Sequence, residues 1–493
     1  MRKFLLCGLC FFAQQVYAQQ WHFDLSFTPA TQTVHVHLQV SGNTADSLPL
    51  KMPVWTPGYY QFMNYANNVT QFKASDQQGK SLAWKQTTPN SWCVQTTGIP
   101  LVIMDYDVKA NRDFVAGNYL DSLHAFLSPA GIFMHTKIQQ PVSISIHPYD
   151  NWKQVATGMD SDSSYTYFAP DFDVLYDSPI LTGNLDTLPS FKVKGIPHYF
   201  TGYKMVDFDH VHFMHDLKKI VESAVDIIGE IPYKHYTFMG IGPGRGGIEH
   251  LNTTAVSFTG EGLDNQENRI RTYSFLAHEY FHHYNVKRIR PVELGPFDYE
   301  NGSRTAQLWI SEGFTVYYEY LILRRAGLTT GEECLQQLRS NLLAYETKPG
   351  RLYQSLTQAS LDTWSDGPFG RTGDSINKTI SYYDKGPILA LLLDLKIRHE
   401  TGNRKSLDDV MRTLYQRYYK QLQRGFTEKE FQQVCEQTAG TSLSALFEYV
   451  STVKAVDYQS YFNYAGLVMD NHFEIKKISN PDKLQTAIYK SIF

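Results

Sequence analysis

From about residue 20 to residue 200 apolar and polar positions alternate along the chain with a period of two. In TVHVHLQV, Val34, Val36, Leu38 and Val40 fall on one side, and His35, His37 and Gln39 on the other, which predicts a half-buried strand. LVIMDYDV and VSISIHP predict further strands between Gly, Asn, Asp and Pro breaks. Near residue 205 the period changes. In DFDHVHFMHDLKKIVESAVDIIGE, the residues Val211, Met214, Leu217, Val221, Ala224 and Ile228 recur at helical spacing. YTFMGIG then predicts a strand, and GPGRGG a glycine-rich turn. Helices are expected around 265–285 and 305–325, and 380–455 reads as mostly helical. KGPILALLLDLKIRHETG stops at Gly402; TEKEFQQVCEQTAG carries a capping box, Thr427 with Glu430, and stops at Gly440. There is no repeat and no low-complexity linker. The pattern is that of an α+β multidomain chain, β-rich over 19–200 and increasingly helical after it.

Length sets a prior of two to four domains for 493 residues, and 42% hydrophobic with 14% aromatic residues supplies material for large cores. The net charge of -4 with no charge run excludes nucleic acid as an expected partner and gives no acidic or basic tail. Arg2 and Lys3 precede the apolar run FLLCGLCFFA, and Ala18 offers a small residue for cleavage before Gln19. Residues 1–18 therefore predict a signal peptide and an exported protein, periplasmic or secreted. The run is too short to span a membrane as a mature helix, and no other run is long enough. Lipid attachment through Cys7 or Cys10 is a lesser alternative, because neither has convincing small residues before it. Cys93, Cys334 and Cys435 remain after cleavage, enough for one bridge and one free thiol. His35 and His37 form an HxH pair that could bind metal, but with no third partner nearby a solvated strand face is the plainer reading.

Candidate chemistry sits in AHEYFHHYNVKRIR, where His278 and His282 stand four apart and Glu279 follows the first. Four residues on an α-helix advance about 400° and 6 Å, so the two histidines share a face and can hold one ion. Glu279 lies next to that face, where a carboxylate can reach a metal-bound water. HExxH on a helix is the zincin signature, but it is short enough to occur by chance. Phe275, Leu276, Tyr280 and Phe281 make the helix suited to burial. His283 is turned about 100° from His282 and is expected to support a ligand or lie at the surface. A catalytic zinc needs a third protein ligand and an open position. LWISEGFTVYYEYLILRR offers Glu312, with Gly313 beside it for close approach. Its alternative as a solvated helix glutamate is disfavoured by Trp309, Ile310 and Phe314 around it. Glu319, seven residues on, could orient a ligand.

Taken together, HEYFHHYNVKRIRP and LWISEGFTVYYE resemble the glycyl aminopeptidase family of zinc metallopeptidases. MPVWTPGYY, GGIEHLNTTAVSF and ISYYDKGPILALLLDLKIR resemble other parts of that family, so the likeness runs from about residue 20 to 468. The NVKRIRP extension lengthens the gap between His282 and Glu312 relative to leukotriene hydrolase and aminopeptidase N relatives. The resemblance implies a thermolysin-like gluzincin catalytic domain over 201–380 and a helical C-terminal part over 381–468. It also implies a PDZ domain, which needs on the order of 90 residues. Only a short tail, 469–493, is left for it, so no PDZ domain is expected. By resemblance, Glu249 binds the substrate amine, Gly246 and Gly247 let the backbone approach closely, and Tyr383 donates a hydrogen bond to the oxyanion.

The expectation is a zinc aminopeptidase with one Zn2+ per chain on His278, His282 and Glu312, and Glu279 as base. Its substrates are peptides with a free N-terminus, and the family name implies small first residues such as Gly or Ala. One rival is an endopeptidase of the same chemistry, which blocking the substrate N-terminus would distinguish. The other is a non-catalytic peptide-binding protein on a peptidase scaffold, for which metal content is the cheap test.

Overall fold

The computed structural model describes residues 19–163, 165–367 and 377–493; the expected signal segment, 1–18, lies outside them. The alternation of the N-terminal part becomes a seven-stranded sheet. Its centre is formed by Gln20–Thr28, Thr33–Ser41 and Leu101–Lys109, paired antiparallel so that Phe23, Leu38 and Met104 stand in register. Matching register puts the apolar set of each strand on one face, and these three side chains are fully buried. Val142–Ile146 joins in parallel beside Gln20–Thr28. His35 and His37 lie on the outer face, each with Nδ1 bonded to an aspartate of the next strand, Asp107 at 2.6 Å and Asp105 at 2.7 Å.

The next sheet has the order Asp186–Thr187, Ile196–Gly202, Tyr236–Gly240, Thr253–Phe258, Gly242–Glu249. The boundary expected at residue 200 thus falls inside a strand, one that pairs in parallel with Tyr236–Gly240. GPGRGG is not a turn. It belongs to the edge strand Gly242–Glu249, antiparallel to Thr253–Phe258, and positive φ at Gly242, Gly244 and Gly246 accompanies a register shift between Gly242 and Gly247. Glycine bends such a strand without ending it.

Helix His210–Ile228 is capped by Asp209 and buries Met214, Leu217, Val221, Ala224 and Ile228. Val211, expected on that face, is 71% exposed in the first turn, where Phe213 is the residue buried instead. Beyond it the chain is helical. Helix Tyr382–Glu400 is buried along most of its length, and Thr427 with Glu430 forms the expected capping box. Glycines make its closest crossing. A Cβ on Gly313 would stand 2.5 Å from the Gly386 Cα, so the helix after Glu312 and the helix of Tyr383 meet backbone to backbone.

The expected tail is a small hairpin, Leu467–Met469 with Ile475–Lys477, and a helix, Lys483–Ile492, that buries Ile488 and Ile492. All three described cysteines are free thiols, so the possible bridge does not form. Among the described residues no helix is long and apolar enough to cross a membrane. One core runs through the sheet and helices of the second half and also takes in Trp55 and Tyr60 from the N-terminal part.

Candidate active site

Helix Gln266–Phe281 begins at Asn265, whose side chain accepts from the Asn268 N–H, and ends with His282 as its cap. The NVKRIRP segment closes that end. Val286 and Lys287 donate their N–H groups to the His282 carbonyl, both at 3.1 Å, and Arg288 donates to the His283 carbonyl at 2.7 Å. Carbonyls left over at a helix end are satisfied locally in this way. Glu312 sits at the junction of two helices, Leu308–Ser311 and Gly313–Arg325.

Asn285 joins these elements. Its carbonyl accepts from His282 Nδ1 at 2.8 Å, and its buried side-chain amide donates to the carbonyls of Ile310 at 2.9 Å and Ser311 at 3.2 Å. On the other imidazole, His278 Nδ1 donates to Glu319 Oε2 at 2.8 Å, and Ser274 holds the second oxygen of Glu319 at 2.9 Å. With both Nδ1 atoms engaged, the two Nε2 atoms face Glu312. His278 Nε2 and His282 Nε2 lie 2.9 Å apart, and Glu312 Oε2 lies 3.6 Å and 3.2 Å from them.

This geometry passes a simple test of fit for a metal. Three ligands about 2.0–2.1 Å from a tetrahedral ion stand about 3.3 Å from one another. His278, His282 and Glu312 form the one cluster of three metal-ligating side chains among the described residues, and all are buried. The electrostatics agree. Burial alone would lower the His278 pKa, but hydrogen bonds to Glu312 and Glu319 raise it well above the usual range. His282 is raised as well, against burial, by the Glu312 carboxylate. Burial pushes Glu312 up, yet the two histidines pull it far below an ordinary carboxylate. The pocket thus demands positive charge at its centre, and a bound cation meets the same demand that protons otherwise meet.

Glu279 is buried beside the cluster with Oε2 lacking a partner. Burial pushes its carboxyl up to about 7, against the pull of His278 and His282 and with a push from Glu249 and Glu312. The edge strand passes directly over it. A Cβ on Gly247 would lie 2.8 Å from Glu279 Oε1, whereas one on Gly246 would meet only Val115, at 3.9 Å. Glu249 ends that strand. It is buried, its Oε1 makes no hydrogen bond, and Lys287 Nζ stands 3.8 Å away. Lys287 is itself bonded to Asp177 at 2.9 Å, and His250 bonds the same aspartate oxygen at 3.0 Å. Tyr383 opens helix Tyr382–Glu400, its ring 6.2 Å from His278. Burial raises its hydroxyl pKa, and so does the Glu312 carboxylate, to which it hydrogen-bonds.

The structure therefore brings His278, His282, Glu312, Glu279, Glu319, Tyr383 and Glu249 around one site. It does not bring His283. That residue is neither supporting a ligand nor at the surface: it is fully buried among Tyr233, Tyr236, Tyr280 and Tyr284, and neither ring nitrogen has a partner. Sequence reasoning missed Asn285 and Lys287, both inside the NVKRIRP segment, and Tyr60, inside MPVWTPGYY. Those segments were the signal, but their roles depend on partners far away in sequence.

Comparison with known proteins gives the family and the fold. Residues 22–184 match the peptidase M61 N-terminal domain, and residues 271–389 match the M61 glycyl aminopeptidase model. No curated protein sequence matches the chain. Among solved structures, an aminopeptidase N family protein from Idiomarina loihiensis is similar at 27% identity and a TM-score of 0.84, over 94% of this chain and 82% of that one. A variant of an M1 zinc metallopeptidase from Deinococcus radiodurans, bound to a Tyr-Ser-Ala substrate, is 12% identical with a TM-score of 0.55. That match covers 89% of this chain and 95% of that one, and it shows the fold alone. The chain is a metallopeptidase of gluzincin fold and belongs to the M61 glycyl aminopeptidase family.

Proposed function

We propose that the chain is an exported zinc aminopeptidase that removes small first residues, Gly or Ala, from peptides. One observation carries the reading. An aligned cluster of His278, His282 and Glu312 lies beside two buried carboxylates, Glu279 and Glu249, each with an oxygen that makes no hydrogen bond. Buried polar atoms without partners are costly, so a site that keeps two of them is built for something that arrives. Held by His278, His282 and Glu312, one zinc supplies Lewis-acid polarisation of the scissile carbonyl and acidification of water.

The chain's own groups do the rest. Glu279 accepts a proton from the attacking water and returns it to the leaving amine. Its raised carboxyl suits a group that must both take and give a proton near neutrality. The Tyr383 hydroxyl, which stays protonated, donates to the oxyanion. Glu249 pairs with the substrate's α-ammonium and so places the first peptide bond, and only that bond, over the site. Glu319 and the Asn285 carbonyl hold the imidazoles in the tautomer that presents Nε2. Export rests on Arg2, Lys3 and the apolar run after them.

A panel of aminoacyl reporters, free and N-acetylated, with and without chelator, tests the reading. We expect turnover of free Gly and Ala reporters, loss with chelator, restoration by zinc, and little turnover of acetylated ones. Equal turnover of free and acetylated reporters makes the protein an endopeptidase instead.

A further inference from the structure

The segment Thr56–Tyr60 belongs to the N-terminal part of the chain but ends at the metal site. Thr56 and Tyr59 form an isolated bridge, so Pro57 and Gly58 are the tip of a tight turn. That tip touches the carboxylate assigned to the substrate amine: a Cβ on Gly58 would lie 2.9 Å from Glu249 Oε2 and 2.7 Å from Ile248 Cγ2. Two residues on, Tyr60 is 8% exposed and packed at 6.4 Å against Trp55 and at 6.2 Å against Trp364. Trp364 is held in turn by Trp55, 5.0 Å away edge to face. The Tyr60 ring is thus backed by two tryptophans. Its hydroxyl also feels both ends of the site: burial raises it, and the Glu312 and Glu249 carboxylates and the Tyr382 phenol raise it further.

We infer that Tyr60 is the wall that limits the size of the substrate's first side chain. If the α-amine lies at Glu249 and the scissile carbonyl at the His278–His282–Glu312 cluster, the first Cα must lie between them, and its side chain must project near the group that faces both. Tyr60, two residues from the turn tip that lies against Glu249 and packed on Trp55 and Trp364, is the ring placed to meet it. A pocket closed by an aromatic ring backed in this way accepts hydrogen or a methyl group and collides with a branched or aromatic side chain. This inference rests on the proposed amine-anchored reading and adds to it the residue that sets the specificity.

The test compares kcat/KM for Ala and Leu reporters in the parent, Tyr60→Ala and Tyr60→Phe, with metal content measured in each. In Tyr60→Ala the Leu-to-Ala ratio should rise by about tenfold or more, the range that pocket volume commonly controls. Tyr60→Phe keeps the bulk and should keep the parent ratio. If Tyr60→Ala does not fold, Tyr60→Val removes the ring with less loss of packing and is read the same way. A parent that prefers Ala, with a ratio unchanged in a metal-loaded Tyr60→Ala or Tyr60→Val, overturns the inference and leaves the aminopeptidase reading standing. A parent that takes Leu as readily as Ala overturns the small-residue reading and this inference with it. A ratio that rises equally in Tyr60→Phe assigns the effect to the hydroxyl and overturns the steric account.

Discussion

Glu279 differs from Glu312 and Glu319 in having an oxygen with nothing to hold. Glu312 faces two histidines, Glu319 has His278 and Ser274, and Glu279 keeps an oxygen free inside a buried site. On the proposed reading that difference separates a ligand from a base, and it leads to a sharp expectation. Glu279→Gln preserves shape but cannot accept a proton. It should retain metal at the parent level while activity falls by at least about a hundredfold, since general-base contributions commonly run 10²–10⁴. Elemental analysis beside steady-state kinetics checks both halves, and half the parent rate in a metal-loaded variant removes Glu279 from the role. At this scale the sequence was informative where the chemistry is local. His278, Glu279 and His282 are joined by one helical turn, so periodicity and ligand type suffice. Glu249 and Tyr383 could be singled out only through resemblance, because their place beside the cluster is made by a strand and a helix distant in the chain. Tyr60, one of 33 tyrosines, was marked only by its segment MPVWTPGYY, which gives no role to the residue itself.

Among the elements, the junction between the helix of His278 and the helices flanking Glu312 depends on one side chain. Asn285 is 1% exposed, and its side-chain amide donates to Ile310, Ser311 and Thr315 while its backbone carbonyl accepts from His282. Asn285→Ala keeps the backbone carbonyl behind His282 but removes the amide bridge to the segment of Glu312, and should weaken zinc retention by about tenfold and lower turnover at subsaturating zinc. Competition with a chelator of known affinity measures it. Parent-level affinity would show that the helices keep their register without the bridge. The elements themselves were largely readable. Helix Glu428–Ala439, with its capping box and Gly440 stop, follows from local signals. GPGRGG misled because glycines that announce a turn also permit a bent edge strand, and only pairing with Thr253–Phe258 separates the two. Val211 misled because periodicity says which side of a helix is apolar, not where its neighbours begin.

Across the whole molecule, acid should be the weak condition. His135 in the N-terminal part and His198 in the second sheet are both buried, and burial holds each down at about 4 from an ordinary 6.5. The unfolded chain binds these protons more readily than the folded one. The stability contributed by keeping the rings neutral is therefore full above about pH 6.5 and is lost as pH falls toward 4. Each ring contributes up to about 3 kcal/mol at 1.36 kcal/mol per pH unit. Thermal melts should fall steadily over that window, before carboxylates such as Asp177, held below its ordinary range, begin to titrate. Glu279, raised to about 7, works in the opposite sense over the same window, so the check is made on metal-loaded Glu279→Gln, in which a flat melting temperature between pH 6.5 and 4 removes both histidines from the account. The turn that carries Tyr60 has a different consequence. Trp55 and Tyr60 are counted in the core of the second half, whereas Met52 and Tyr65 on either side are counted in the core of the first. The chain crosses from one core to the other and back within a few residues, so no cut in the sequence yields a minimal peptidase. A fragment beginning at the second sheet would carry every ligand and lack part of its wall. A chimera of two relatives would inherit its substrate range from the half that contributes no ligand to the metal.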